Sequence, residues 1–558
     1  MKDGFLDISA IASKLKYCAK TNSLRHGTLL HEQIIANGLD TDTFVGNWII
    51  QMYGDCGNPS SAQEAFQRIR NPNLYSWNIL INALGQNGKL QDAISSFKKM
   101  PCRDVVSWNA IIKSYAQHGY RYEALQWFSQ MQLEDMKPSA ISYVCALNAA
   151  AGLTAFVEGE KIFSDIVKNE HWYNVVVGNA ILDMYSKCGR IDEARLIFAK
   201  MPYRNVVSWT TIIASYSHNE EGDKALYLFG EMLLQGFEPE TIAYGCVIDA
   251  CTGISAFFDG QIIHAASVYC GFEENVMVGS ALINLYAKFG YLLEAGHSFS
   301  QIEAPNVISW TSMISAYIQY DCFWAGLILF HEMVIYGVKP DRVTFLSIIE
   351  LCANLGVLEQ GKMIHHSVLE AGCEEVLEVG NALIDMYGKC GGISDAEGVF
   401  KSMPFHDIVS WNAMLATYAH NGNDEDTLSY FHNMHHDGIE PNAITYLLAL
   451  TTCSHSGLSN IGRHLFLYLH THGVPMLTVD QSACMVDLLG RSGCLDEAEA
   501  LINTLPFDKG SVTAWLCLLS ACRLHGDIDR GARLARFCFE LEPKNVAPYK
   551  VLSNMLQT

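Results

Sequence analysis

Small side chains that can form hydrogen bonds recur along this chain at intervals of 101 residues. Each one directly follows the tryptophan of a repeated phrase, such as VVSWNAIIKSY around Trp108. The four residues in this position are Asn109, Thr210, Thr311 and Asn412. Amide and hydroxyl groups donate and accept hydrogen bonds without carrying charge, so their chemistry suits recognition. A fixed interval also indicates an array of repeats, whose function should lie along a surface.

The 101-residue unit divides into three kinds of repeat, which we name first, middle and short repeats. The first repeats comprise 105–139, 206–240, 307–341 and 408–442. The middle repeats comprise 8–42, 140–174, 241–275, 342–376 and 443–478. The short repeats comprise 43–73, 74–104, 175–205, 276–306, 377–407 and 479–510. They form a predicted array of fifteen repeats over residues 8–510, after a short extension at residues 1–7.

Each repeat has the apolar pattern of two helices. In the repeat 105–139, apolar residues at i, i+3, i+4 and i+7 predict a first helix and are Trp108, Ile111, Ile112 and Tyr115. Ala124, Phe128 and Met131 give the second helix its stripe, and Gly119 separates the two. Because so short a pair cannot bury its stripe alone, neighbouring repeats must stack into an all-α superhelix with a concave face.

The fifth residue of a repeat is small and polar in the first and short repeats, whereas it is never so in the middle repeats. In the short repeats these residues are Asn47, Asn78, Asn179, Ser280 and Asn381. The last residues of the same two kinds are polar too, and they are Asn73, Asp104, Ser139, Asn205, Glu240, Asn306, Asp341, Asp407 and Asn442. Capping of the following helix is one explanation of the last position. It does not explain the fifth, and the two positions together suit hydrogen bonding to the edge of a nucleic-acid base.

The charge balance argues against a conventional nucleic-acid binder. The chain has 37 basic and 59 acidic residues, a formal net charge of -22. Lys and Arg normally supply most of the non-specific affinity for phosphates, so any nucleic acid must be read mainly by neutral hydrogen bonds and stacking. A scaffold that holds a peptide in its groove would also fit the acidic charge. It would leave unexplained why polar fifth residues are restricted to two kinds of repeat.

The residue spacings typical of catalytic and metal-binding sites are missing from this sequence or fall in unsuitable places. No two of the 18 cysteines have the C-x-x-C spacing of a zinc site, and the single H-x-E match, His218 to Glu220, falls in the predicted turn between two helices. We therefore expect no enzymatic activity and no cofactor or metal. No apolar run reaches the roughly 18 residues of a membrane span. The first residues have the pattern of neither a signal peptide nor a transit peptide, so we expect either that there is no targeting peptide or that this chain begins after it.

From about residue 8 onwards, these motifs resemble plant pentatricopeptide repeat proteins of the PLS subclass, which alternates P, long and short motifs. The resemblance implies a right-handed superhelical α-solenoid in which each repeat reads one base of single-stranded RNA. In that family the fifth and last residues select the base, and an aliphatic second residue stacks on it. The stacking residues implied here are Val106, Val207, Ile308 and Val409. Glu378 departs from this pattern.

The recognition code of the family, carried over to these positions, assigns a base to each pair. The pairs imply uridine for Asn78 with Asp104 and Asn381 with Asp407, a pyrimidine for Asn47 with Asn73, Asn179 with Asn205 and Asn412 with Asn442, cytidine for Asn109 with Ser139, adenosine for Ser280 with Asn306, guanosine for Thr311 with Asp341, and a purine for Thr210 with Glu240. Read 5′ to 3′ from the N-terminus, the fifteen repeats predict N-Y-U-C-N-Y-R-N-A-G-N-U-Y-N-N.

The C-terminal segment resembles the motifs that follow the repeats in organellar RNA-editing factors. Residues 511–545 are similar to an E-type motif, and 546–558 to the opening of a second one, without a DYW deaminase domain. The resemblance implies a mitochondrial or chloroplast protein that recognises sites for cytidine-to-uridine editing. Its partners would be single-stranded RNA, a deaminase supplied in trans and editing accessory proteins. Transcript stabilisation, splicing or translation is the alternative role.

Overall fold

The computed structural model of the protein describes residues 8–471, 479–504 and 512–557. The predicted extension at 1–7 and the boundary predicted at residues 510 and 511 lie outside them. Within these ranges the chain folds into 33 α-helices and one short 3₁₀-helix, His171–Tyr173, without a β-strand. The predicted all-α solenoid of paired helices is confirmed.

The helices belong to two compact units, which are described separately. The first contains the described residues up to Tyr291 together with Ser300–Glu303, and the second contains Leu292–Phe299 together with the described residues from Ala304. Helices α1 to α17 are Ile8–Lys20, Leu24–Ala36, Thr43–Asp55, Pro59–Arg68, Leu74–Gln86, Leu90–Lys99, Val105–Gln117, Arg121–Leu133, Ala140–Gly152, Phe156–Lys168, Val175–Lys187, Ile191–Lys200, Val206–His218, Gly222–Leu234, Thr241–Gly253, Phe257–Tyr269 and Val276–Lys288.

Helix α18, Leu292–Gln301, contributes residues to both units. The later helices belong to the second unit. Helices α19 to α33 are Val307–Gln319, Phe323–Ile335, Arg342–Leu355, Leu358–Glu370, Leu377–Lys389, Ile393–Ser402, Ile408–His420, Asp424–His436, Ala443–His455, Ser459–Thr471, Val479–Arg491, Leu495–Thr504, Val512–His525, Ile528–Leu541 and Ala547–Gln557.

The helices alternate between the first and second helix of a pair. A typical first helix, such as α7, has 13 residues and packs against its own second helix and against the first helix of the next pair. The second helix has 13 residues in α8 but only 10 in α6 and α12. The short repeats are therefore shorter mainly because their second helix loses almost one turn.

The repeated tryptophans are core residues that fix the packing of one pair on the next. Trp108 is 0% exposed, and its ring centroid lies 4.8 Å from that of Phe97 on the preceding second helix, in an edge-to-face arrangement. The same contact recurs at Trp209 with Phe198, Trp310 with Phe299, and Trp411 with Phe400. Aromatic pairs of this geometry add to the burial energy, so these residues stabilise the stack rather than recognise a ligand.

Glycine is required where the chain reverses between paired helices and where first helices approach closely. Gly119 has φ +83° in the turn between α7 and α8, a left-handed conformation that costs other residues energy. A β-carbon on Gly54 of α3 would lie 2.5 Å from the β-carbon of Ala83 on α5. These positions allow adjacent first helices to lie close together. No described helix combines the length and the apolar character that a membrane span needs.

Candidate nucleic-acid interface

A row of exposed apolar side chains follows the first turns of the first helices. The predicted stacking residues Val106, Val207, Ile308 and Val409 are between 52% and 60% exposed, although each begins a well-buried helix. The same register is occupied in the first unit by Phe44, Tyr75, Ile141, Val176, Ile242 and Met277, and in the second unit by Val343 and Ile444, all exposed. Large apolar groups that recur in solvent at one register are available to contact a ligand with flat faces.

The polar fifth residues lie one turn further along the same helices and are largely buried. Asn109, for example, is 8% exposed. Its amide Nδ2 donates to Ser139 Oγ at 3.1 Å, so the fifth and last residues of this repeat contact each other directly. The amide also donates to the last residue in four other pairs, namely Asn78 with Asp104, Asn179 with Asn205, Asn381 with Asp407, and Asn412 with Asn442. The fold therefore brings together five of the nine predicted pairs through a direct hydrogen bond.

The last residues also cap the helices that follow them. Asp104 Oδ1 accepts from the backbone N–H of Ser107 at 2.9 Å, and the Ser107 hydroxyl accepts from the backbone N–H of Asp104. Eight of the nine predicted last residues accept such a bond, and Glu240 is the exception. Capping and pairing are thus not alternatives, because one carboxylate or amide oxygen group serves both.

The bonds in these pairs fix how the fifth residue is oriented. Because Asp407 and Asp104 are acceptors, the amide nitrogens of Asn381 and Asn78 must face them, which leaves the Oδ1 atoms on the other side. Oδ1 of Asn47, Asn78 and Asn381 is buried without a hydrogen-bond partner. A buried acceptor of this kind costs free energy until a donor reaches it. These three positions therefore hold an acceptor that lacks a donor and has almost no contact with solvent.

The last residue of the repeat 377–407 is held in its ionised form. Burial alone would raise the pKa of Asp407, but hydrogen bonds from the backbone and hydroxyl of Ser410 and from Asn381 outweigh it and lower the pKa. The acceptor that orients Asn381 is consequently a carboxylate at neutral pH.

The remaining predicted pairs have other arrangements. Thr311 reaches its last residue indirectly, through a 2.6 Å bond to the Thr344 hydroxyl, which donates to Asp341 Oδ1. Thr210 instead donates to the Val206 carbonyl at 2.8 Å, and Ser280 donates to that of Val276. Asn73 caps α5 and accepts from the Ser76 hydroxyl rather than from its predicted partner Asn47. Ser280 and Asn306 belong to different units, and Asn306 caps α19.

An open cavity of about 600 Å³ lies at one of these pairs in the first unit. Its walls include the exposed side chains of Val207 and Ile242, which are the second residues of consecutive repeats. The predicted pair Thr210 and Glu240 lines the same space. The cavity thus combines apolar walls with a few polar groups, as ligand sites generally do, at the place where the sequence predicts base recognition.

Comparison with known proteins identifies the kind of repeat. A profile described as the PPR repeat family matches residues 103–152, 204–253, 305–354 and 406–455, and a PPR repeat profile matches 75–105, 179–206 and 381–408. A pentatricopeptide repeat-containing protein of Arabidopsis thaliana is 35% identical over 591 residues, which cover 99% of this chain and 84% of that protein. The chain belongs to the pentatricopeptide repeat family.

Two further pentatricopeptide repeat-containing proteins of Arabidopsis thaliana, one named chloroplastic and one named mitochondrial, are 32% and 30% identical to this chain. They are covered over 63% and 59% of their own lengths, so the chain spans less than two thirds of each. Among solved structures, the crystal structure of the pentatricopeptide repeat protein PPR10 from maize is similar in fold. Its TM-score is 0.52 at 14% identity, covering 98% of this chain and 88% of that chain.

The middle pentatricopeptide repeats have the exposed second residue without the polar fifth residue. In four of the five, the second residues Ile141, Ile242, Val343 and Ile444 are apolar and between 47% and 61% exposed, whereas the repeat 8–42 has Ser9. Sequence comparison of fifth residues alone missed these side chains, although their apolar character at a constant register could have identified them. The middle pentatricopeptide repeats can therefore contribute apolar contact but offer no amide or hydroxyl at the fifth position.

Basic side chains end the first helices of four short pentatricopeptide repeats, and in three of them the cation is paired with an acid one turn earlier. In the fourth, Lys288 donates to the backbone carbonyl of Thr252. Lys187 lies 2.7 Å from Asp183, and Lys389 and Arg491 have equivalent contacts with Asp385 and Asp487. These cations are about half exposed, so a phosphate could reach them. Because an aspartate already neutralises each one, the row adds little net attraction for phosphate. The sequence pattern of fifth and last residues gives no signal for these cations.

Proposed function

We propose that this protein binds single-stranded RNA in a sequence-specific manner. The observation that carries the proposal is the set of five hydrogen-bonded pairs of fifth and last residues. In four of these repeats the second residue is an exposed apolar side chain, and in the repeat 377–407 it is Glu378. A base stacked on the apolar residue would place its polar edge near the amide of the fifth residue. The pairs Asn78 with Asp104 and Asn381 with Asp407 hold a carboxylate beside the amide, and both repeats are predicted to bind uridine.

The same proposal includes a location in a plant organelle and a role for the bound RNA. Relatives named chloroplastic and mitochondrial support a plant organelle. The resemblance of residues 511–545 to an E-type motif, and the alternation of repeat kinds typical of the PLS subclass, support site recognition for cytidine-to-uridine editing. The deaminase would then be supplied in trans, and the present chain would bind rather than catalyse.

A reciprocal exchange of two fifth residues tests the proposed mode of recognition. Thr311 and Asn381 belong to repeats that end in an aspartate, Asp341 and Asp407 respectively. Each aspartate accepts a hydrogen bond from a hydroxyl in the next helix, that of Thr344 or Ser410. Thr311→Asn should therefore change the preferred tenth base from guanine to uracil, and Asn381→Thr should change the twelfth from uracil to guanine. Affinities are measured by titrating fluorescent 15-nucleotide RNAs that differ only at those bases.

The two variants act as controls for each other, because each leaves the other repeat intact. Unchanged preferences in both variants would reject the assignment of fifth residues to bases. Equal affinity for every RNA, including a scrambled sequence, would reject sequence-specific binding. Recovery of a peptide in place of RNA would support the protein-interaction scaffold.

The editing role needs a separate experiment. RNA crosslinked to the protein in plant organelles should contain the predicted sequence upstream of an edited cytidine. Crosslinked sites without nearby editing would instead assign the protein to transcript stabilisation, splicing or translation.

A further inference from the structure

Another open cavity of about 600 Å³ lies in the first unit, where the turn between α5 and α6 meets the turn between α7 and α8. Its lining combines aromatic and charged side chains, which are Lys89, Asp92, Tyr115, His118, Tyr120 and Glu123. Helix α7 rises by about 18 Å from Val106 to His118. The cavity therefore lies at the opposite end of this helix from the exposed apolar row, away from the proposed contacts with bases.

Negative charge predominates in this cavity. Within the described part of the chain, the carboxyl groups of Asp92 and Glu123 form neither a hydrogen bond nor an ion pair, and Lys89 pairs with neither of them. Nδ1 of His118 lies 2.9 Å from the carbonyl oxygen of Ser114, to which it must donate, so Nε2 of the neutral ring is an acceptor. Two carboxylates and one ammonium group give the lining an excess of one negative charge.

The ring of Tyr115 provides an aromatic wall close to one of these carboxylates. Its centroid lies 6.1 Å from that of Tyr120, in an edge-to-face arrangement. Burial raises the pKa of the Tyr115 hydroxyl, and the negative charge of Glu123 adds to that effect, so the carboxylate lies near the ring. The face of an aromatic ring attracts cations, and an unpaired carboxylate supplies the opposite charge. This combination suits a positively charged ligand.

The next first repeat, 206–240, has a cation of its own at the equivalent place. The residues 101 positions beyond Tyr115, Tyr120 and Glu123 are Tyr216, Glu221 and Lys224. Nζ of Lys224 lies 5.4 Å from the centroid of the Tyr216 ring and forms an ion pair with Glu221. The counterpart of Asp92 is neutralised too, since Glu193 pairs with Arg190 at 3.5 Å. The repeat 105–139 keeps the tyrosine but has an acid in place of the lysine.

We infer that this cavity binds a primary alkylammonium group and that a lysine side chain of a partner protein supplies it. A lysine occupies the equivalent place within this chain, with its ammonium group over an aromatic ring and beside a carboxylate. One monovalent cation balances the excess negative charge of the lining. The open cavity of about 600 Å³ also accommodates a whole lysine side chain that enters from solvent. A free polyamine carries the same group, so the experiment separates the two sources.

The test measures binding of a short peptide to the full chain by saturation-transfer NMR. The peptide has blocked ends and a single lysine flanked by glycine and serine, and its lysine methylene protons should receive magnetisation from the protein. Acetylation of the lysine removes its charge and should weaken binding by on the order of tenfold or more. Putrescine is then added as a competitor. A lysine side chain is supported if the peptide stays bound at an equal putrescine concentration, whereas its complete displacement would assign the site to a free polyamine.

Glu123→Lys copies the lysine of the next repeat and should fill the cavity from within, so that the peptide binds on the order of tenfold more weakly or not at all. Glu158→Lys is the matched control, because it makes the same change of charge at the third residue of the following second helix, α10, outside the cavity. It should leave the affinity unchanged. Glu123→Gln, which keeps the size of the side chain, should weaken binding severalfold and replaces Glu123→Lys if that variant does not fold.

Equal weakening in the Glu123 and Glu158 variants would assign the binding to general attraction by an acidic protein and overturn the inference. Equal binding of the acetylated peptide would overturn it as well, because the ligand would then not need its charge. Neither result bears on RNA binding, which is measured separately with RNAs that differ at the tenth and twelfth bases.

Discussion

The short repeat 74–104 and the middle repeat 8–42 cap the next helix in the same way but differ in what else the capping residue does. Asp42 accepts from the backbone of Phe44 and Val45, and Asp104 accepts from that of Ser107. Asp104 also accepts from Asn78, whereas the middle repeat has Ala12 at the fifth position. The last residue is therefore structural in both repeats, and under the proposed function a polar fifth residue would add recognition only where it is present.

Exposure of the second residue shows that the two kinds of repeat still share one surface. Ile141 in a middle repeat is 61% exposed, and Val106 in a first repeat is 57% exposed. Under the proposed function, both kinds would contact stacked bases, while only the first and short kinds would distinguish them. Affinity and specificity should consequently be separable by mutation.

The largest effect is expected when a whole row of second residues is made polar. Changing Ile141, Ile242, Val343 and Ile444 of the middle repeats to serine should weaken RNA binding by several hundredfold, since each loses about 1 kcal/mol of apolar contact. Base preferences should stay the same. The corresponding change of Val106, Val207, Ile308 and Val409 is the matched control and should cost a similar amount. Binding of the middle-repeat variant with unchanged affinity would show that those repeats do not contact RNA.

A smaller and more selective effect is expected from converting one short repeat into the middle kind. Asn381→Leu copies the fifth residue of the preceding repeat, Leu346, and removes the bond to Asp407. The preference for uracil at the twelfth base should fall by on the order of tenfold. The Ser410 backbone still donates to Asp407, so the cap is kept and the thermal midpoint should change little. A loss of affinity that is equal for all four bases would contradict a role in discrimination.

The sequence was sufficient to predict the paired helices and to align the fifth and last residues of the repeats, because both follow from residue periodicity. It did not predict that five of these pairs contact each other directly. It could not separate capping from pairing, since the same oxygen atoms of Asp104 or Asn205 do both. It also could not show that the hydroxyl of Thr210 turns to its own helix while that of Thr311 reaches Thr344. That difference follows the third residue of the next helix, which is Ala243 in one case and Thr344 in the other, a position that the alignment of fifth and last residues does not include.

The two caps provide a third test, with an effect of about 1 kcal/mol. Asp104→Ala and Asp42→Ala should each destabilise the protein by roughly 0.5–2 kcal/mol, because each exposes unpaired N–H groups at the start of a helix. Only Asp104→Ala should also change RNA recognition, at the third base, because it releases Asn78. Thermal unfolding measures the first effect, and titration with RNAs that vary at the third base measures the second. A changed preference in Asp42→Ala would mean that middle repeats also discriminate between bases.

The smallest effect concerns histidines that join middle repeats to the short repeats after them. Nδ1 of His31 lies 3.0 Å from the Tyr53 hydroxyl, and Nδ1 of His365 lies 2.9 Å from that of Tyr387. Burial lowers the pKa of both histidines below the ordinary value of 6.5. Above pH 6.5 they are neutral whether the protein is folded or unfolded, so they give no pH dependence there.

As the pH falls below that value, the unfolded chain takes up protons that the folded protein resists, and stability decreases. Two other middle repeats have Phe163 and Phe466 at the same register, so phenylalanine fits this place in the stack. We therefore compare how far the midpoint temperature of thermal unfolding falls when the pH is lowered from about 7.5 to about 5.5. The fall should be smaller for a variant with His31→Phe and His365→Phe than for the unmodified protein. Identical losses would assign the acid sensitivity to other groups and leave these histidines as packing residues.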